Sequence, residues 1–122
     1  MTKDDRIYEL VHSGEYQGIK FYIMKYGFKT EEFDYHWYCG YVEPPKDKLT
    51  LNISELEVHG GITFDGYRQD MSKNRIWGWD YNHCEDIDYE NKLKNKFQFK
   101  SKEEVVNIIS KDCQEFIRRY LV

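Results

Sequence analysis

The stretch Val58-His-Gly-Gly-Ile-Thr-Phe-Asp-Gly-Tyr-Arg-Gln-Asp-Met-Ser-Lys-Asn-Arg-Ile-Trp-Gly-Trp-Asp-Tyr-Asn-His-Cys-Glu-Asp-Ile-Asp88 decides how the chain is read. Its first half, Val58 to Phe64, places apolar residues around Gly60-Gly61, as in a strand whose backbone something approaches closely. Ile76, Trp77 and Trp79 suit a second strand, because β-branched and aromatic side chains fill a pleated, half-buried surface. That strand runs directly into Asp80-x-x-His83-x-x-Asp86. If the two strands pair, His59 faces this cluster. Imidazoles and carboxylates at short spacing are ligands for a borderline metal such as zinc. The predicted metal set is therefore His59, Asp80, His83 and Asp86. The competing reading is a surface loop of solvated acids beside a hydrogen-bonded histidine.

Outward from this stretch, Tyr35 to Val42 is almost wholly aromatic and small, and is expected as a central strand. Pro44 and Pro45 stop it, since proline cannot donate to a ladder. Upstream, Tyr16 to Phe28 alternates Ile19, Phe21 and Ile23 with Lys20, Tyr22 and Met24, the period of a half-buried strand. Gly14, within the expected turn His12–Glu15, and Gly27 are read as the turn residues that bracket it. Ile7 to Val11 is a strand or a short helix, forming a hairpin with the segment that follows.

Downstream, Ser101-x-x-Glu104 is a capping-box signature, in which hydroxyl and carboxylate satisfy free N–H groups at a helix start. Val105, Ile109, Cys113, Phe116, Ile117 and Tyr120 then recur at helical spacing, and Arg118 and Arg119 complement the C-terminal dipole. At about 1.5 Å per residue such a helix spans roughly 30 Å, enough to cross a small sheet. The expected fold is α+β: a single domain over residues 1–122, with an antiparallel sheet of about five strands and one long C-terminal helix packed across it. The polar stretches Asp65–Asn74 and Tyr89–Lys100 are expected at the surface, where a protein partner reaches them. A short turn of helix or strand is expected around Phe97 and Phe99.

Composition narrows the function. A charged share of 33% with 40% hydrophobic residues is that of a folded chain. Acids exceed bases, giving a formal charge of −4, which argues against direct gripping of nucleic-acid phosphates. Cys39, Cys84 and Cys113 have no paired spacing and fit a reducing compartment better than a disulfide framework. Cys113 lies on the helix's apolar stripe and Cys39 in an aromatic strand, so both read as core thiols. The start, MTKDDRIYEL, shows no apolar signal core, and no run approaches the roughly 20 apolar residues of a membrane span. The expected location is cytoplasmic.

The order Cys39-Gly40-Tyr41-Val42, Pro45, Val58-His59-Gly60-Gly61-Ile62-Thr63-Phe64, Trp77-Gly78-Trp79-Asp80-x-x-His83-x-x-Asp86 and a Cys-bearing terminal helix resembles a family of small proteins encoded by bacteriophages and prophages. The likeness runs from about Cys39 to the end. The HGGITF block is its specific part. In the second block the family more often has Phe before the Asp and Cys-Ala after it, a departure that leaves Asp80, His83 and Asp86 in place. The resemblance implies a phage context and a shared polar site at those residues and His59, in a family that carries no established catalytic activity. Small phage proteins without enzyme motifs are often counter-defence factors, and some bind the RNA-guided nuclease of type II CRISPR systems. The expected function is thus a zinc-binding, non-enzymatic anti-CRISPR inhibitor acting in the infected host's cytoplasm.

Three chemistries stay open for the cluster. A structural zinc would be closed by four ligands, with Cys39 or Cys84 as alternative fourth donors; a ligand set without thiolate counts against it. An open three-ligand site would activate water for hydrolysis, with Asp86, Asp88 or Glu85 as base. Without metal, the histidines and aspartates would form a hydrogen-bond network that fixes strand register. In that last case Tyr67, Trp77, Trp79 and Tyr81 are core, or a stacking platform for a sequestered signalling nucleotide.

Overall fold

The computed structural model describes residues 6–122. Residues 1–5, the beginning of the segment read as lacking a signal core, lie outside them. Five strands form one antiparallel sheet: β1 (Arg6–Tyr16), β2 (Ile19–Lys29), β3 (Asp34–Val42), β4 (Phe64–Gly66) and β5 (Ile76–Asp80). Their order is β1-β2-β3-β5-β4, so the aromatic strand β3 is central, and one helix, α1 (Lys102–Tyr120), lies across the sheet. This is the α+β architecture expected. A second, two-stranded ribbon pairs β6 (Ile87–Asp88) with β7 (Lys94–Asn95).

Alternation along β2 sends Phe21 and Ile23 to the helix-covered face, and Tyr22 and Met24 to the other. On the helix side they meet Tyr38, Val42, Trp77 and Trp79 from the sheet and Val105, Ile109, Cys113, Phe116 and Ile117 from α1. Between β3 and β5 the register pairs Gly40 with Trp79 and Tyr41 with Gly78. Each glycine is overlaid by the ring of its partner: a Cβ on Gly40 would sit 3.0 Å from Trp79, and one on Gly78 2.4 Å from Tyr41. Glycine and aromatic thus alternate across the pair so that large rings lie flat on it.

Two turn expectations are corrected. His12–Glu15 lies inside β1, and the hairpin turn falls at Gln17-Gly18, both with positive φ. Gly14 and Gly27 sit within strands, where Phe21's ring and the Tyr35–His36 backbone take the space of a side chain. The strand expected over Val58–Phe64 is also shorter. Gly60 and Gly61 have φ of 69° and 80°, outside the β region, so His59–Gly60 is a turn and pairing starts where Thr63 N–H donates to Gly78 O at 2.8 Å.

The Asp65–Asn74 stretch is partly pinned. Arg68 donates to Tyr26 Oη at 3.0 Å and Met71 packs on the uncovered sheet face, while Tyr67 is 68% exposed. Tyr89–Lys100 likewise has exposed Tyr89, Leu93 and Phe99 around a fully buried Asn95, with Lys96–Phe99 forming a 3-10 turn. Among the described residues no helix is long and apolar enough to cross a membrane.

Candidate metal centre

The site forms where two irregular segments meet beyond the end of β5. His59 arrives on the glycine turn. His83 and Asp86 arrive on a 3-10 turn, Cys84–Asp86, for which His83 is the N-cap. The cap folds the turn back on His83, and this brings Asp86 to the same side as His83. His83 N–H donates to Asp86 Oδ2 at 3.0 Å, closing the turn.

Asp86 is the buried member, only 6% exposed. A buried carboxylate requires compensation. His59 Nε2 supplies part of it, lying 3.0 and 2.9 Å from its two oxygens. The His59 ring is held by stacking on Tyr81, with centroids 4.5 Å apart and planes 17° from parallel. Tyr81 is fixed in turn. Its hydroxyl accepts from Trp79 Nε1 at 3.0 Å and donates to Asp112 Oδ2 at 2.6 Å, and its ring stacks on Phe97. Burial, then the Asp112 carboxylate, raise the Tyr81 phenol above its ordinary value, so it stays a donor. His83 packs directly on Gly60, where a Cβ would fall 2.1 Å from His83 Cε1.

One ligand atom from each of His59, His83 and Asp86 lies within 4.8 Å of the others, so this group is able to bind a metal ion. His59 Nε2 to Asp86 Oδ2 is 2.9 Å and His83 Nδ1 to Asp86 Oδ2 is 3.6 Å. These bracket the roughly 3.4 Å between ligand atoms that tetrahedral bonds of about 2.1 Å impose. His83 Nδ1 is buried and, among the described residues, has no hydrogen-bond partner. An ion would satisfy it.

Of the predicted set, Asp80 stands outside this group. It ends β5, and strand alternation points it to the face opposite the helix. Its carboxylate accepts from Asn82 N–H at 3.0 Å and Thr63 Oγ1 at 3.2 Å, and its Oδ1 is 3.6 Å from His83 Nδ1. Cys39 is buried in the sheet, and burial, then the Asp80 charge, push its thiol up to about 12. Cys84 is exposed, with Sγ 3.1 Å from Tyr89 Oη. Neither joins the group. Asp88 caps the following turn, where hydrogen bonding from Asn91 holds its carboxyl below the usual range.

Sequence reading missed the roles of Tyr81 and of the 3-10 turn. Tyr81 carried a signal only as one more aromatic. Comparison with known proteins gives no lead: no protein-family model, no curated protein and no solved structure matches the chain.

Proposed function

We propose that this chain is a zinc-binding protein in which His59, His83 and Asp86 hold the ion, and that it works by binding a protein rather than by catalysis. The observation that carries the metal is the orphaned, buried Nδ1 of His83 beside the buried Asp86 carboxylate. Two imidazoles and a carboxylate suit zinc better than calcium or magnesium, which prefer all-oxygen shells. The ion would tie the His59 turn to the His83–Asp86 turn. The phage-family resemblance supplies the partner class: a host defence protein, the RNA-guided nuclease of type II CRISPR systems.

Calorimetric titration of zinc into chelator-treated protein tests the metal. Near-stoichiometric binding is expected, lost in His83→Ala and Asp86→Asn. With zinc at 100 times its Kd, linkage adds about 2.7 kcal/mol of stability, visible as a raised Tm. No binding heat and an unmoved Tm would leave the hydrogen-bond network as the site's whole content. Pull-down of the purified nuclease, with and without chelator, tests the partner separately.

One observation favours a second reading. His59 and His83 side chains are 28% and 30% exposed, so a three-ligand ion would have room for water. Zinc lowers the pKa of such a water towards about 7 and makes it a nucleophile. Zinc-dependent hydrolysis of a phosphodiester or ester, lost in His83→Ala without loss of fold, would establish that reading instead.

A further inference from the structure

The helix covers one face of the sheet. On the other face lies an open basin of about 570 Å³, within the size range of ligand sites. Tyr26, Trp37, Tyr41 and Phe64 line it, and Asp80 and His83 form one end. The rings are set at angles: Tyr26 and Trp37 are 6.2 Å apart at 32°, Tyr41 and Phe64 5.9 Å apart at 82°. Among the described residues no Lys or Arg lines the basin, and Asp80 is its one acid. That carboxylate receives two neutral donors and, among the described residues, no Lys or Arg partner. A carboxylate accepts up to about four hydrogen bonds, so half its capacity is open. Aromatic faces attract cations, and a carboxylate with open acceptor capacity beside them adds charge complementarity. The rim already behaves this way: the Arg68 guanidinium lies 5.2 Å over Tyr8 and 5.7 Å over Tyr26.

We infer that this basin is a docking site for an arginine side chain presented by a basic protein partner, stacked on the aromatic floor with its guanidinium directed to Asp80. Arginine fits better than lysine because its planar group stacks on rings and forks onto a carboxylate. The net charge of −4 favours a basic partner. The basin adjoins the proposed metal centre and shares His83 with it, but the arginine would contact the rings and Asp80, so its binding is read with the metal removed.

The test is an NMR titration with N-acetyl-arginine amide in the presence of chelator, following the Trp37 indole N–H. N-acetyl-citrulline amide, the neutral isostere, is the control. A saturable shift at Trp37 is expected for the arginine probe alone, with a Kd on the order of millimolar. Asp80→Asn is expected to weaken it about tenfold, the scale of a lost charge-assisted contact. Should Asp80→Asn fail to fold, Trp37→Leu serves in its place and is expected to weaken binding with the shift read at the Tyr41 amide. Equal response to citrulline, no response to either probe, or undiminished binding in the folded variant used would each overturn the assignment.

Discussion

At Gly60 a ring occupies the place of a side chain. The residue has φ of 69° and a Cβ there would meet His83 Cε1 at 2.1 Å, whereas Gly61, with φ of 80°, has nothing within 4 Å. The two neighbours therefore separate backbone strain from collision. Gly61→Ala should cost about 1–2 kcal/mol through its left-handed φ alone. Gly60→Ala should cost more and should also displace His83, so zinc affinity falls only in that variant; denaturant melts and zinc titrations of both check this. Tyr81 poses a similar contrast. Tyr81→Phe keeps the ring stacked on His59 but strands Trp79 Nε1 and Asp112 Oδ2. The expected loss is about 1–3 kcal/mol, chiefly the cost of the buried Trp79 N–H left unpaired, with zinc affinity largely retained.

At the scale of elements, α1 begins at Ser101, whose hydroxyl accepts from Glu104 N–H at 3.1 Å. One half of the capping box is thus present as read; Glu104's carboxylate instead receives the Ser101 hydroxyl at 3.3 Å. Further along, Ser110 Oγ is buried and has no partner among the described residues. Ser110→Ala removes that unsatisfied hydroxyl and improves helix propensity, so a stability gain of about 0.5–1 kcal/mol is expected by chemical denaturation. Strand β3 carries a pH dependence. Burial first, and the Lys25 charge second, hold the His36 imidazole below its ordinary value of 6.5. Its folded form binds a proton less readily than the unfolded chain does. Stability is then full above the ordinary imidazole range and falls as pH drops from about 6.5 through the lower folded value. His36→Gln should flatten that acid limb in a series of melts from neutral to mildly acidic pH.

Across the whole molecule, His59, His83 and Asp86 join two irregular segments that lie outside the strand ladders, although Val58 and Ile62 pack on the core and Glu57 N–H donates to Tyr120 Oη. His59 and Asp86 are 27 residues apart and meet through side chains, not ladder bonds. Chelation should accordingly raise hydrogen exchange at residues 58–61 and 83–88 while β2, β3 and α1 keep their protection, as measured with and without zinc. A uniform rise over the entire chain would show that the ion supports the fold globally instead.

The sequence alone determined the central aromatic strand, its stop at Pro44-Pro45, the alternation along β2 and the capped terminal helix, because period and local chemistry fix these within a few residues. It also marked His59, His83 and Asp86 as donors of the right kind. Only the tertiary structure decided that Asp80 leaves the group while the other three converge, for strand alternation governs Asp80 and a 3-10 turn governs His83 and Asp86. It likewise moved the hairpin turn to Gln17-Gly18 and cut the Val58–Phe64 strand short. A glycine that makes a turn and a glycine that makes room for a ring look identical in sequence. What distinguishes Gly14, Gly27 and Gly60 is the neighbour that folding brings against each, and that neighbour comes from elsewhere in the chain.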